Sequence, residues 1–148
     1  MFHTYVYYAT DGVPLWENHA EAQKHHHSGK LDHPTVVNNR LYLNKHVYDL
    51  STGTVIEVDD FDWHGCGVMS ASGHTLFRRF EFHGMYNLET KKRTEFLGLR
   101  SGCWLSLIPS GGLLLAPESS AGCSCDHAIQ TSIAYVPEKV RSRGTDSP

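Results

Sequence analysis

An acidic stretch near the middle of the chain carries residue types that can hold a metal ion. The segment from Glu57 to His64 contains three aspartates and one histidine, at Asp59, Asp60, Asp62 and His64. Carboxylate oxygens are the hard ligands that calcium prefers, although the segment lacks the spacing and the glycine of an EF-hand loop. The segment predicts a calcium site at the three aspartates. The alternative is a solvated turn anchored by its two aromatic residues.

The chain is also rich in histidine, with 11 in 148 residues. Most are expected to make ordinary hydrogen bonds at the surface or on strands. The densest group is the histidine run at residues 25–27, which Asp32 and His33 follow closely; its candidate ligands are His25, His27, Asp32 and His33. Imidazole nitrogen and carboxylate oxygen both bind zinc, so these four residues are a second candidate metal site, with Zn²⁺ as the alternative to Ca²⁺. The other interpretation is a histidine run that binds metals without any function.

Four cysteines bear on the compartment of the protein: Cys66, Cys103, Cys123 and Cys125. They predict disulfides, which would make this an exported or periplasmic protein. Thiolate ligands that bind zinc together with a histidine are the alternative. The first residues lack the charged and apolar regions of a signal peptide, so a cytoplasmic location is expected if the cysteines are not paired.

The sequence offers no recognisable nucleophile for covalent catalysis. It contains neither a Gly-x-Ser-x-Gly elbow nor a local cysteine and histidine signature. Any hydrolysis would therefore need water that is activated by a metal or by a carboxylate or histidine base. His64 and His83 are the candidate general bases.

Composition limits the classes of partner. A formal net charge of -3 and a pI near 6.4 give no basic footprint for nucleic acid. No apolar run approaches the roughly 20 residues of a membrane span. The length favours one repeat domain over residues 1–137, and the polar segment 138–148 is predicted to be a mobile tail.

Two sets of markers recur with a period near 40 residues. Aromatic-led turns begin at Tyr7, Tyr48 and Tyr86, and pairs of apolar runs begin near Val36, Val68 and Leu107. Short β-rich runs separated by Gly, Asn and Asp turns are typical of four-stranded propeller blades at this period. Strands are predicted at 2–9, 36–43, 46–50, 55–58, 68–70, 75–80, 84–88, 93–96, 104–108, 112–116 and 132–136, and residues 17–27 are the one possible helix.

The turn from Tyr48 to Gly53 resembles the aromatic-Asp-x-x-Thr-Gly turn of quinoprotein-like (pyrroloquinoline-quinone-type) β-propellers. The segment from Asp11 to Trp16 is similar to their companion signature, whose tryptophan locks neighbouring blades. The resemblance implies an all-β partial propeller of about three four-stranded antiparallel blades. Because three blades cannot close a ring, self-association through the exposed blade edges is expected. The adjacent-cysteine pair of the quinone pocket is absent, which argues against a bound quinone.

Two functions from different classes follow from this fold. Several propeller families hold calcium in a central tunnel and hydrolyse lactones or esters there, which by analogy predicts a metal-assisted hydrolase of a small lactone or ester, such as a homoserine lactone. The alternative is a non-catalytic interaction module, or the C-terminal piece of a larger exported quinoprotein-like protein. The alternative requires nothing beyond the repeats.

Overall fold

The computed structural model describes residues 2–20, 33–43, 45–58, 68–79, 82–96, 98–99, 102, 105, 107–118, 129 and 131–138. The secondary-structure elements of these residues are thirteen β-strands in four antiparallel sheets, none of which closes on itself. The predicted all-β class is therefore confirmed. The chain divides into two compact units, residues 1–62 and 63–148. No helix among the described residues has the length and apolarity needed to cross a membrane.

The first unit contains a two-stranded ribbon and a four-stranded meander. In the ribbon, β1 (Phe2–Tyr7) pairs with β2 (Pro14–Ala20). The meander, called sheet 1, has the spatial order of its sequence and contains β3 (Thr35–Val37), β4 (Arg40–Leu43), β5 (His46–Asp49) and β6 (Val55–Val58). Its buried side chains are Val37, Leu41, Tyr42, Val47 and Tyr48.

Turn chemistry explains the tight hairpin between β3 and β4. Asn38 and Asn39 both take positive φ, at 49° and 59°. A two-residue hairpin turn with both φ values positive matches the right-handed twist of the strands, and asparagine tolerates this conformation better than most residues. The predicted strand over 36–43 is therefore two strands, β3 and β4, which this turn separates.

Trp16 attaches the ribbon to sheet 1. Its ring stacks on Tyr48 with 5.8 Å between ring centroids, and its Nε1 donates a hydrogen bond to the Leu50 carbonyl at 2.8 Å. From the same face of β2, Asn18 donates to the Gly53 carbonyl at 2.9 Å. The inward face of the ribbon is therefore held by the turn that joins β5 to β6.

The second unit contains a four-stranded and a three-stranded meander. Sheet 2 consists of β7 (Ser70–Ser72), β8 (Thr75–Arg79), β9 (His83–Asn87) and β10 (Lys92–Phe96). Sheet 3 consists of β11 (Ile108–Ser110), β12 (Leu113–Ala116) and β13 (Ile133–Tyr135). A hydrophobic cluster joins the two sheets, with Phe77 and Phe96 of sheet 2 against Leu107, Leu114, Ala116, Ile133 and Tyr135.

The three aromatic-led markers occupy equivalent places, because each forms the turn between two paired strands: β1 and β2, β5 and β6, or β9 and β10. The Asp49 carboxylate accepts hydrogen bonds from the amides of Ser51 and Thr52, and the Asn87 side chain accepts the same pair from Glu89 and Thr90. The repeat is thus one of local structure as well as of sequence.

The strand count differs from the predicted three four-stranded sheets. Among the described residues, the sheets have two, four, four and three strands. The two sets of sequence markers occupy different places in a sheet. The aromatic-led turn joins the last two strands of a four-stranded meander, whereas the paired apolar runs form its first two strands. Among the described sheets, only sheets 1 and 2 contain both markers. The predicted helix over residues 17–27 is wrong for Glu17–Ala20, which belong to β2. Residues 21–27 lie outside the described part, as does the predicted tail apart from Glu138.

Candidate functional site

Most of the sequence-predicted site residues lie outside the described part of the chain. This group comprises the acidic loop with its histidine, three members of the histidine-rich set and the cysteines: Asp59, Asp60, Asp62, His64, His25, His27, Asp32, Cys66, Cys103, Cys123 and Cys125. His33 is described and exposed. The calcium, zinc, disulfide and compartment predictions therefore stay predictions, and His83 is the one candidate general base with a described position.

His83 is completely buried, with a relative exposure of 0 %. It lies at the start of β9, where its backbone amide donates to the Leu99 carbonyl at 3.1 Å. Its ring Nδ1 is 2.6 Å from the Tyr135 hydroxyl, and the two rings meet edge to face at 85°. A buried imidazole with such a partner is held in one orientation. Tyr135 is therefore the fixed polar partner of this imidazole.

Strand alternation explains why His83 faces Tyr135. Side chains on one face of a sheet recur every second residue and align with their cross-strand partners. His83 pairs with Phe96, and Met85 pairs with Phe77, so all four belong to the same face of sheet 2. This is the face that packs against β13 of sheet 3 through Phe96 and Tyr135.

Tyr135 has two neighbours that fix its ring. Its ring stacks on Phe96 with centroids 4.7 Å apart, and its hydroxyl meets the His83 nitrogen. Desolvation by burial raises the pKa of Tyr135 from 10.0 to about 12. The phenol is therefore neutral at physiological pH, so it can take part in hydrogen bonds but is a poor nucleophile or base.

Tyr135 also lines a cleft of about 680 Å³ between sheets 2 and 3. This volume lies within the range of about 300–1,000 Å³ that is usual for small-molecule sites. The walls are mainly apolar and are formed by Phe77, Met85, Phe96, Pro109, Leu114 and Tyr135. The cleft is thus continuous with the hydrophobic contact between the two sheets, since Phe77, Phe96, Leu114 and Tyr135 belong to both.

Polar groups line the same cleft near solvent. Ser72, Thr75, Ser110 and Glu138 contribute to its lining, and all but Thr75 are exposed. Glu138 is the only charged residue among the lining residues that the structure describes. The arrangement combines an apolar, ring-lined interior with hydroxyl groups and one carboxylate near solvent. It can therefore bind a molecule by burying its apolar body and hydrogen-bonding its polar end.

Sequence reasoning found His83 but not the cleft. Tyr135 was recognised only as part of a strand, and its role depends on a partner 52 residues away in the sequence. The available signal was an aromatic residue with a polar tip on a short strand, which does not by itself indicate a site. Within the described residues, no group of three or more His, Cys, Asp or Glu side chains is arranged to hold a metal.

Comparison with known proteins gives no relative from which a function could be transferred. The chain matches no protein-family profile, no curated protein and no solved structure at a significant level.

Proposed function

We propose that this protein is a non-catalytic β-repeat module whose second unit binds a small molecule with an apolar, ring-containing body. The cleft of about 680 Å³ between sheets 2 and 3 is the observation that carries the proposal. Its apolar walls and few polar groups are the usual composition of a small-molecule site. The non-catalytic module was already one of the two functions expected from the repeats.

The His83 and Tyr135 pair favours binding over catalysis in this cleft. A general base must come within about 3 Å of the proton that it removes. His83 is fully buried and is not among the residues that line the cleft, and the raised pKa of Tyr135 disfavours the phenolate that a nucleophilic role would need. The pair supplies a positioned, neutral hydrogen-bonding group in an apolar wall.

The charge and shape of the lining indicate the ligand class. The stacked rings of Phe96 and Tyr135 form an aromatic part of the wall, which suits a planar ring. The one charge among the described lining residues is the Glu138 carboxylate, so neutral or cationic ligands are favoured over anions. We expect a neutral aromatic molecule with a hydrogen-bonding group to bind better than an aromatic carboxylate of the same size.

Ligand-observed NMR with indole as a neutral probe and benzoate as an anionic probe tests this proposal. Indole should bind with a Kd on the order of 0.1–1 mM, and benzoate more weakly. A Ser110→Trp variant places a large ring at the cleft from an exposed position on β11 and should weaken indole binding at least about tenfold.

Ile108→Trp is the matched control. Ile108 is exposed on the same strand but is not among the residues that line the cleft. Equal indole affinity in the two tryptophan variants, or no indole binding by the wild type, would contradict binding in this cleft.

We also propose that the sheets are blades of a partial β-propeller. The support is the recurrence of one turn after the third strand of both complete meanders, together with a ribbon tryptophan that packs on the next turn. Unpaired blade edges favour self-association. Sedimentation velocity should then give a concentration-dependent mass above 16.6 kDa, and a strictly monomeric particle would contradict the open-edge interpretation.

Metal-assisted hydrolysis of a small lactone or ester stays a prediction from the sequence. Its proposed metal ligands and His64 lie outside the described residues, so the cleft geometry does not bear on them. Turnover of a chromogenic ester and of a homoserine lactone, lost with chelator and restored by calcium, would support it. Hydrolysis rates that do not change with chelator or calcium would contradict the hydrolase and leave the binding module as the remaining proposal.

A further inference from the structure

We infer that His3 and His19 form a two-histidine binding site for a first-row divalent metal such as Zn²⁺ on the outer face of the β1–β2 ribbon. The two residues are direct cross-strand partners, and their ring centroids are 4.1 Å apart. Nothing in the proposed cleft function depends on this site, which lies in the other unit.

The separation of the rings suits one shared ion. Zinc binds imidazole nitrogen at about 2.0–2.1 Å, so two nitrogens on one ion can be at most about 4.2 Å apart. The ring centroids are 4.1 Å apart, and both side chains are exposed, so each ring is free to rotate toward a shared ion. Water can complete the coordination, since two histidines leave positions open.

The surroundings of the pair favour a cation. Glu17 lies on the same outer face, with its carboxylate oxygen 3.9 Å from His19 Nε2. A carboxylate beside a ligating histidine can accept its second ring N–H and strengthen the nitrogen ligand. The sequence from residue 1 to residue 20 contains no lysine or arginine that would repel the ion.

The pair differs in chemistry from the predicted calcium loop. Imidazole ligands suit zinc, copper and nickel, whereas calcium and magnesium prefer oxygen. The ribbon site is therefore expected to take Zn²⁺ in the presence of excess Ca²⁺.

Calorimetric titration with Zn²⁺ tests the inference in a full-length background in which His25, His26 and His27 are replaced by alanine. That background removes the histidine run, which binds zinc by its composition alone. His3→Ala and His19→Ala should each lower the zinc affinity at least about tenfold, because each leaves a single imidazole where two acted together. Zinc should also raise the Tm of the background protein, and neither variant should show this rise.

His74→Ala is the control, because His74 is also exposed and also lies near a carboxylate, with Nδ1 3.5 Å from Glu89. It should leave the zinc affinity unchanged. A zinc affinity that neither His3→Ala nor His19→Ala lowers would assign the ion to another part of the chain and would overturn the two-histidine site. Absence of zinc binding in the background protein at pH 7.5 would overturn it as well.

Discussion

At Gly53, the addition of a single methyl group is expected to destabilise the first unit strongly. Its φ is +71°, and a Cβ added there would lie 2.5–2.8 Å from three ring carbons of Trp16. Gly53→Ala therefore introduces backbone strain and also displaces the tryptophan that attaches the ribbon to sheet 1. Gly12→Ala is an unusually close control, because Gly12 has the same φ of +71° and no atom within 4 Å of the added Cβ.

The expected magnitudes separate the two effects. An alanine in this left-handed region costs about 1 kcal/mol, which is the whole expected effect of Gly12→Ala. Displacing Trp16 in addition weakens its hydrogen bond to Leu50, at about 0.5–1.5 kcal/mol, and its stacking on Tyr48, at a similar amount. Gly53→Ala should therefore lower the free energy of unfolding by about 2–4 kcal/mol.

Urea unfolding followed by tryptophan fluorescence and circular dichroism measures both variants. If the dependence of the free energy of unfolding on urea concentration is the same in both variants, the difference between their unfolding midpoints, multiplied by that slope, gives the contribution of Trp16. In a Trp16→Leu background the cost of Gly53→Ala should fall toward that of Gly12→Ala, because the ring is gone. Equal midpoints for Gly53→Ala and Gly12→Ala in the wild-type background would refute the docking of Trp16 on this turn.

Three further outcomes are expected. Lys91 has a φ of 55° at the position equivalent to Gly53, so Lys91→Gly should raise the free energy of unfolding by about 0.5–1 kcal/mol in a urea titration. Asp49→Asn should be nearly neutral, since Asn87 makes the same pair of hydrogen bonds in the equivalent turn, whereas Asp49→Ala should cost about 1 kcal/mol; equal effects would contradict the turn assignment. The folded pKa of Tyr135 is about 12 against 10.0 for the free side chain, so its contribution to stability is complete below pH 10 and is lost as the pH rises toward 12. Tyr135→Phe should therefore flatten the alkaline fall in stability by up to about 2 kcal/mol, and an unchanged pH profile would argue against a buried phenol.

Local signals in the sequence were sufficient for most strands. The predicted segment 55–58 coincides with β6, and the predicted segment 46–50 contains β5. The sequence did not reveal β2, because its inward positions Trp16, Asn18 and Ala20 include a polar residue and so give no alternating apolar pattern. Asn18 is accommodated by a hydrogen bond to a distant turn, which no local pattern can indicate.

The candidate site was less predictable than the strands. His83 was recognisable as a chemically competent residue, but its burial depends on which face of β9 meets sheet 3. That choice is set by strand register and by packing against Phe96 and Tyr135, which are distant in sequence. The cleft itself is a volume left between two sheets, and no single residue encodes a volume.

Hydrogen bonds within two of the turns also affect the susceptibility of the folded chain to proteolysis. In both the β1–β2 and the β5–β6 loops, the glycine amide bonds back to a carbonyl four residues earlier, from Gly12 to Tyr8 and from Gly53 to Asp49. A protease must draw a bend out into an extended segment before cutting it, and here that means breaking these bonds first. The exposed residues of these bends, Thr10 and Asp11 in one and Ser51 and Thr52 in the other, should therefore resist proteolytic cleavage despite their exposure.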